Sequence, residues 1–336
     1  MKEALVDVPV RVNIWIRSDC QKKQFEVLKK ARPSIIFLQS DGGRNAKEWE
    51  IIHENRKLFD EGIDWKCQVF KLYETENNGL YKMAEKTRNL IWENVDRCIF
   101  LEDDYVPAVS YFRFCAEMLE RYKDDLRVSF VTGYNHMGIN KNVDSDYFFS
   151  GEGTIWGCAT WKRTDELCNL NYKDSLYTTQ KICEVARLEK KGYEKIITGY
   201  ANDNKYGGHV AGTEFYKNFL RFAQGQICIV PKKNLIKNIG VGEGAAHSSD
   251  NIYKLPKRVQ KFFNSQTYEL DFPLTHPKFC VRNIEYDNYV NKVLAWHHPL
   301  IFTCRKVETA LRCLMYGDFK KIKSGVTHLF INRKEK

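Results

Sequence analysis

Two hydrophobic patterns alternate through the first 135 residues of the chain. Short apolar runs typical of buried parallel strands are followed by longer segments whose apolar positions recur every three or four residues, as on one face of a helix. Such repeated strand–helix units predict an α/β fold, with a mostly parallel sheet, right-handed crossovers and helices on both faces. The predicted strands are Val10–Ile16, Ser34–Leu38, Cys67–Leu72, Cys98–Leu101 and Arg127–Thr132, and the predicted helices are Gln21–Ala31, a segment around Trp49–Phe59, Leu80–Trp92 and the segment after Pro107.

The rest of the chain is less regular. A further strand is predicted at Gln226–Val230, ahead of a glycine-rich turn at 240–244, while aromatic residues and glycines crowd positions 147–161. We predict one domain at 1–250, made of two halves at 1–135 and 136–250, followed by a helical, basic extension at 251–336.

The C-terminal extension combines positive charge with an amphipathic pattern. From Ile301 onward there are nine Lys/Arg against three Asp/Glu, so this stretch holds about +6 of the formal net charge of +10. A basic amphipathic helix can lie on an anionic membrane surface, although a solvated basic tail explains the charge equally well. The predicted apolar face of the helix consists of Val307, Ala310, Leu311, Leu314 and Met315.

Composition narrows the class of protein. The 43% hydrophobic content suits a globular chain with a sizeable core. Eleven cysteines without a C-x-x-C pair favour free thiols in a reducing compartment. Because the sequence shows neither an N-terminal apolar leader nor a membrane-spanning apolar run, a cytoplasmic location is expected, with peripheral contact at the inner membrane face as an option. The basic residues are not interleaved with a stacking surface, so nucleic acid is not an expected partner.

Three adjacent carboxylates carry the strongest chemical signal. Glu102, Asp103 and Asp104 directly follow the apolar strand Cys98–Leu101, at the carboxyl end where open α/β sheets collect ligands. Unpaired carboxylates packed together repel one another, and a hard divalent cation such as Mg²⁺ or Mn²⁺ relieves that repulsion. A bound cation there could stabilise the charge of a departing diphosphate. The alternative is a solvated acidic turn before Pro107.

The segments Leu80–Ala84 and Cys98–Pro107 resemble the core of N-acetylglucosaminyltransferase I and its bacterial relatives. The resemblance extends from about Val10 to His247. It implies a GT-A fold, a Glu-Asp-Asp metal motif and an inverting transfer that depends on Mn²⁺ or Mg²⁺. It also implies a nucleotide-sugar donor, with a UDP-sugar favoured by the family, and a glycan or lipid-linked acceptor in surface polysaccharide assembly. The half at 1–135 would then be the donor half, and the half at 136–250 would be the acceptor half.

The same resemblance implies roles for individual residues. Asp104 would bind the metal and Asp103 the donor ribose, while Glu102 would support the cluster on the donor side. His247, after the glycine turn, corresponds to a late histidine near the metal or phosphates. A lone histidine is more often structural, so both interpretations of His247 remain.

Further donor contacts are implied around the sheet. Arg17 would lie near the base or phosphates, Asp41 would accept the N–H of the base, and Lys86 stands where the family has a basic residue or histidine. The segment Phe148–Gly157 resembles the loop over the sugar pocket, with Trp156 as the sugar contact and Glu152 as a hydroxyl acceptor. The alternative is that the aromatic residues of this segment pack in the core and need no ligand.

Inversion requires a general base opposite the leaving group. In the family this acid lies at a helix start about 15 residues before an apolar strand, and Glu214 precedes Ile227–Val230 by that interval. Thr213 could cap such a helix, and Glu214 could equally be an ordinary first-turn acid. Asp203 is the reserve candidate for the base.

Two other functions remain as alternatives. A sugar nucleotidyltransferase on a similar fold would usually carry a glycine-rich basic loop after the first strand, whereas Arg17–Cys20 contains no glycine. A non-catalytic carbohydrate-binding protein would be expected to lose the carboxylate cluster, which is present here. The sequence contains no G-x-S-x-G, H-E-x-x-H or P-loop pattern, so it does not favour a hydrolase, zinc protease or ATPase.

Overall fold

The computed structural model describes residues 1–167, 221, 224–241, 251–295 and 298–319. The described strands are β1 (Val6–Ile14), β2 (Pro33–Ser40), β3 (Gln68–Tyr73), β4 (Arg97–Leu101), β5 (Tyr105–Pro107), β6 (Val128–Thr132), β7 (Tyr147–Ser150), β8 (Cys158–Trp161), β9 (Ile227–Pro231) and β10 (Ile236–Asn238). The described helices are α1 (Ser18–Ala31), α2 (Ala46–Gly62), α3 (Leu80–Asn94), α4 (Ser110–Arg121), α5 (Lys162–Glu166), α6 (Lys257–Phe263), α7 (Ile284–Leu294) and α8 (Pro299–Met315).

The main sheet has eight strands in the order β3-β2-β1-β4-β8-β6-β9-β7. The first four are parallel to one another, and β6 is parallel to β9. Among the described strands of this sheet, β8 and β7 pair antiparallel with the strands beside them. The predicted α/β architecture with a mostly parallel sheet is therefore confirmed. A short antiparallel pair, β5 with β10, lies beside the carboxyl end of β4.

Side chains alternate between the two faces of the sheet, and helices cover both faces. In β2, Ile36 and Leu38 belong to the main hydrophobic core together with Phe25 of α1 and Phe112 of α4. The intervening Phe37 points to the other face, where it packs in a second cluster beneath α3. The period of two in the strand sequence thus places apolar side chains in both cores.

Several element boundaries follow directly from local chemistry. Helix α1 ends at Ala31 and is capped by Arg32, which directly precedes Pro33. Arg32 has a left-handed φ of 46° and donates its N–H to the carbonyl of Leu28. The first strand differs from its prediction because β1 ends at Ile14, so Trp15 lies beyond it. The carboxyl edge of the sheet is therefore reached earlier in the chain than the apolar alternation suggested.

The predicted pocket loop at 148–157 is only partly a loop. Tyr147–Ser150 forms β7 at the edge of the sheet, and both Phe148 and Phe149 are buried. The prediction that these two phenylalanines belong to a loop over the sugar pocket is therefore wrong. They lie in a strand that pairs with β9, and because side chains alternate along a strand, Phe149 packs in the main core and Phe148 in a different hydrophobic cluster. The connection from Gly151 to Gly157 remains outside regular structure.

Residues on both sides of position 250 share hydrophobic clusters. Leu270 and Leu274 belong to the main core, and Tyr286 of α7 packs against Phe148 and Val230. The extension is helical as predicted, with α7 and α8 both present. The domain boundary at 250 stays a prediction. Buried apolar contacts connect the residues on its two sides. Within the described part of the chain, no helix is both long and apolar enough to span a bilayer.

Candidate functional site

Polar side chains gather where the parallel strands end. Arg17 follows β1, Asp41 follows β2, and Glu102, Asp103 and Asp104 follow β4. Because these strands are parallel neighbours, their carboxyl ends open on the same edge of the sheet, which is where ligands bind in open α/β folds. The side chains of these residues nevertheless have different surroundings.

Glu102 is neutralised from within the sheet. The guanidinium of Arg11 donates to Glu102 Oε1 at 2.7 Å and to the carbonyl of Leu101 at 3.1 Å, and the Asn13 amide donates to Glu102 Oε2 at 3.2 Å. Arg11 is buried, and its cationic carbon lies 5.4 Å from the centroid of the Phe100 ring. The expectation of three unpaired carboxylates is therefore wrong for Glu102, because this residue compensates a buried arginine; its predicted contact with the donor remains untested.

The backbone of the acidic segment is anchored by α1. Gln24 donates its amide N–H to the carbonyls of Glu102 and Tyr105 at 2.7 and 2.8 Å, and Gln21 donates to the carbonyl of Asp103 at 3.4 Å. The carbonyl of Asp104 accepts from the Ile239 N–H at 2.9 Å. The backbone is thereby held on both sides, which leaves the side chains of Asp103 and Asp104 as the chemically available part of the motif.

Asp103 and Asp104 are held in an environment that disfavours their charge. Burial, reinforced by the neighbouring Asp104 and Glu102, raises the pKa of Asp103 to about 7. Burial and the charge of Glu102 raise the pKa of Asp104 to about 6. Both shifts have the sign expected when carboxylates are crowded and incompletely neutralised. A divalent cation would remove this penalty, so the two oxygen donors fit Mn²⁺ or Mg²⁺.

Arg17 is the cation nearest to Asp104 among the described residues, and it is shared with the backbone. Its Nη1 lies 3.8 Å from Asp104 Oδ2 and donates to the carbonyl of Gly240 at 3.0 Å, while Nη2 donates to the carbonyl of Ile239 at 3.3 Å. At 3.8 Å the Asp104 pair is a long ion pair rather than a hydrogen bond. The structure therefore brings Arg17 and Asp104 together, while the predicted contact of Arg17 with the base or phosphates stays a prediction.

Gly240 packs directly against the Asp104 carboxylate. A Cβ built on Gly240 would overlap Asp104 Oδ2 and lie 2.8 Å from Asn238 Oδ1, which itself accepts the Gly240 N–H at 2.7 Å. Only a residue without a side chain leaves room for the carboxylate at this place. The chain after β10 thus forms one wall of the candidate metal site.

We expect Gly240→Ala to weaken Mn²⁺ binding about tenfold to a hundredfold, because the added methyl group displaces the Asp104 carboxylate and the support around it. Lys237→Ala, at an exposed position in the preceding strand β10, is the matched control and should bind Mn²⁺ normally. Manganese titration by electron paramagnetic resonance measures both variants. Equal affinities for the two variants would show that Gly240 has no part in shaping the site.

Asp41 braces the loop that leads into α3. Its Oδ1 accepts the N–H groups of Gly42 and Asn78 at 2.9 and 2.8 Å, and its Oδ2 accepts from the Gly79 N–H at 2.8 Å and the Asn77 amide at 3.2 Å. Four donors occupy most of the acceptor capacity of one carboxylate. A nucleobase contact through Asp41 remains a prediction, and it would compete with these existing hydrogen bonds.

Lys86 is also engaged by a neighbour. Its Nζ donates to Glu74 Oε1 at 2.7 Å, and this hydrogen bond is the main reason that the pKa of Glu74 is lowered. Glu74 follows β3, so the pair ties α3 to the carboxyl edge of the sheet. The proposed donor contact of Lys86 is untested. It would require the ammonium group to leave or share this ion pair.

Trp156 stands in a cluster of aromatic rings beside the acidic segment. Its ring centroid lies 4.9 Å from that of Tyr134, 5.5 Å from that of Phe263 and 6.3 Å from that of Tyr105, the residue after Asp104. The indole is only partly buried, so part of its surface remains open to a ligand. This placement is compatible with the predicted sugar contact, which stays a prediction.

Glu152 faces a buried group of charges instead of the acidic segment. Burial raises its pKa, while the charge of Arg221 opposes that shift. The backbone around it is held by Asp287 of α7, which accepts from the Ser150 hydroxyl at 2.5 Å and from the Gly151 N–H at 3.1 Å. Arg282 pairs with Asp287 as well. The role of Glu152 as a hydroxyl acceptor therefore remains a prediction, in surroundings that its sequence position did not indicate.

Three predicted residues fall outside the described part of the chain. They are the base candidate Glu214, its reserve Asp203 and the metal candidate His247. Within the described ranges, no group of three or more His, Cys, Asp or Glu side chains is arranged to hold a metal ion. Of the described residues, Asp104 therefore remains the predicted metal ligand, with Asp103 beside it, and a complete coordination shell would draw on the donor diphosphate and on residues beyond these ranges.

Sequence reasoning missed several supporting residues. Arg11 carried a usable signal, because a lone arginine in the buried pattern of β1 must find an acid, and Glu102 was available. Gln21 and Gln24 carried a weaker signal, as polar residues one turn apart on the inner face of α1. Asn238 had no signal beyond its position just before the glycine turn.

Comparisons with known proteins identify no family. No protein-family model matches the sequence, and no curated protein matches it significantly. A structure of UDP-glucose pyrophosphorylase complexed with UDP-glucose is similar at a TM-score of 0.35 and 8% identity, covering 69% of this chain and 93% of that chain. A mannose-1-phosphate geranyltransferase from Thermus thermophilus is similar at a TM-score of 0.31 and 10% identity, covering 72% of this chain and 77% of that chain. TM-scores of this size carry no argument about function, which is therefore argued from the side chains.

Proposed function

We propose that this protein is a metal-dependent glycosyltransferase that uses a nucleotide-sugar donor. The observation that carries the proposal is the pair Asp103 and Asp104 at the carboxyl end of β4, where burial raises the pKa of both carboxyl groups. A protein that keeps two poorly neutralised acids at a ligand-binding edge gains from a cation that binds there. The resemblance of Cys98–Pro107 to N-acetylglucosaminyltransferase I supports sugar transfer as the reaction.

Each group then has a defined task. A divalent cation held by Asp104 would supply electrostatic stabilisation of the departing diphosphate. Asp103 would accept a hydrogen bond from the donor ribose, and Arg17 would keep the 239–240 backbone against the site. Glu102 would act indirectly, by neutralising Arg11 so that β1 and β4 stay in register. These roles divide the motif into one structural carboxylate and two that bind ligands.

Transfer also needs a base and an acceptor. Glu214 is proposed to take the proton from the acceptor hydroxyl, which would give inversion at the transferred carbon. The resemblance favours UDP as the nucleotide and a glycan or lipid-linked saccharide as the acceptor, in surface polysaccharide assembly. A non-catalytic carbohydrate-binding relative would be expected to lose the carboxylate cluster, and the presence of Asp103 and Asp104 argues for an enzyme.

A sugar nucleotidyltransferase is the second candidate function. The names of the similar solved structures suggest it, at scores that carry no argument for this chain. Helix α1 starts at Ser18, shortly after β1 ends at Ile14, and the connection contains no glycine. A glycine-rich phosphate loop, which lets several backbone N–H groups surround a triphosphate, has no place in such a connection. Sugar transfer therefore fits the site better.

The products of the donor distinguish the two functions. With Mn²⁺ and a thermal-shift panel of UDP-, GDP-, TDP- and CMP-sugars, the correct donor should raise the melting temperature by several degrees as its concentration rises. Incubation with that donor should then release the nucleoside diphosphate, slowly to water and faster with an acceptor. If added pyrophosphate instead yields nucleoside triphosphate and sugar 1-phosphate, by ³¹P NMR, the nucleotidyltransferase assignment replaces ours.

A further inference from the structure

Helix α8 presents an apolar stripe to solvent. Leu300, Cys304, Val307, Leu311 and Leu314 follow one another at intervals of four, three, four and three residues, which places them on one side of the helix. All five side chains are exposed, with Leu300 at 81% and Leu311 at 56% of full exposure. We call these five residues the α8 stripe. No charged residue of α8 occupies a stripe position.

The opposite side of α8 is the one that contacts the protein. Arg305 donates to the carbonyls of Val293 and Leu294 at the end of α7, and Arg312 donates to the carbonyl of Tyr253 and pairs with Glu308. The helix is thus docked by polar side chains and by the buried Cys313, while the α8 stripe faces outward. This is the reverse of the usual arrangement for a surface helix, and it indicates that the apolar side serves another surface.

Two further exposed side chains widen the apolar surface beyond a narrow seam. Ala310 and Met315 lie on the two sides of the α8 stripe, and Met315 is 79% exposed. Tyr316 stacks on the exposed Tyr253 with ring centroids 6.4 Å apart. A coiled-coil partner would cover only the stripe and would favour charged residues beside it. A broad exposed apolar helix face is typical of contact with a lipid–water interface.

Charge selects the kind of lipid. The basic groups on α8 itself are largely engaged, since Arg305 and Arg312 bond to the protein. The sequence that follows, residues 320–336, contains six Lys/Arg and one acid, Glu335. A net charge of about +5 directly after an exposed apolar helix complements anionic headgroups.

We propose that α8 lies flat on an anionic lipid surface with the α8 stripe in the headgroup–acyl boundary, and that the positive charge of the sequence after α8 favours anionic headgroups. This interaction does not depend on the proposed sugar transfer. If the transfer is correct, however, lipid docking would place the enzyme where a lipid-linked acceptor is found. The α8 stripe consists of protein side chains alone, so the lipid binding requires neither donor nor metal.

The test uses the full chain and flotation with two kinds of vesicle. Wild-type protein should bind mixed phosphatidylcholine–phosphatidylglycerol vesicles at least about tenfold more tightly than phosphatidylcholine alone, and salt should weaken this binding. The double variant V307D/L311D should lose about tenfold or more in affinity for the anionic vesicles. The matched control L5D/L126D changes two equally exposed leucines elsewhere and should bind like the wild type.

Each other outcome overturns the proposal. Equal binding of V307D/L311D and wild type would remove the α8 stripe from the interaction, and absence of wild-type flotation would reject lipid docking. A wild-type dimer that V307D/L311D converts to a monomer, by sedimentation without lipid, would identify a second copy as the occupant. Tighter vesicle binding after removal of 320–336 would show that the tail covers the stripe. Donor thermal shifts on V307D/L311D should equal those of wild type, which keeps this test separate from that of the transfer activity.

Discussion

Replacing Asp103 or Asp104 with asparagine should abolish Mn²⁺-dependent donor binding, and it should leave the metal-free protein more stable than the wild type at pH 8. The reason is that both carboxylates are destabilising in their charged form, since burial and neighbouring acids raise their pKa to about 7 and about 6. Removing one charge relieves a penalty from burial and repulsion on the order of 2 kcal/mol. Asp104→Asn also removes the proposed metal ligand, and Asp103→Asn removes the proposed acceptor for the donor ribose. Differential scanning fluorimetry with and without Mn²⁺ and donor measures both effects.

The pH dependence of the metal-free wild type follows from the same shifts. In the unfolded chain these aspartates have an ordinary pKa near 3.8, whereas in the folded protein the pKa values are about 7 and about 6. Between about pH 4 and pH 7 the folded protein therefore binds more protons at these two positions than the unfolded chain does. Stability contributed by these two groups is therefore greatest below about pH 4 and falls as pH rises through their folded pKa values. Metal binding should strengthen over the same interval, because the ligands must lose their protons.

Glu102→Ala is the matched control within the same motif, and its effect should have the opposite sign. It removes the partner of the buried Arg11 and should destabilise the protein by about 1–3 kcal/mol, with or without Mn²⁺. If Asp103→Asn and Asp104→Asn instead destabilise the metal-free protein as Glu102→Ala does, all three acids are structural. The proposed metal site would then be rejected.

Glu214→Gln should slow sugar transfer by about 10²–10⁴-fold while donor and Mn²⁺ affinities stay close to wild type. The amide keeps the size of the side chain and cannot accept the proton of the acceptor hydroxyl. Single-turnover transfer with saturating donor measures the chemical step, and the thermal-shift titration measures donor binding in the same preparation. Asp203→Asn is the comparison variant, because Asp203 is the other acid proposed for this role.

The pattern of the two variants identifies the base. Loss of transfer in Asp203→Asn with normal turnover in Glu214→Gln would assign the base to Asp203. Normal turnover in both variants would place the base on a third residue and would remove the argument that joined Glu214 to the strand Ile227–Val230. A change in donor affinity without a change in the transfer rate would assign Glu214 to binding instead of catalysis.

The sequence by itself determined the sheet and the position of the acidic motif. Apolar runs such as Ser34–Leu38 and Cys98–Leu101 predict strands because a strand buried on both faces has no polar positions, and β2 and β4 confirm them. Since parallel strands end on one edge, the motif after β4 had to stand where ligands bind. Local information was sufficient for these conclusions, because hydrophobic periodicity and strand polarity are properties of neighbouring residues.

Only the tertiary structure decided which charges are free to act. Glu102 meets Arg11, ninety-one positions earlier, and Asp41 meets the loop at 77–79, so two acids that look available in sequence are already bonded. Asp103 and Asp104 keep their raised pKa values because no comparable partner reaches them within the described chain. The physical reason is that ion pairing and desolvation depend on distances between segments far apart in sequence, and the order of residues along the chain does not contain those distances.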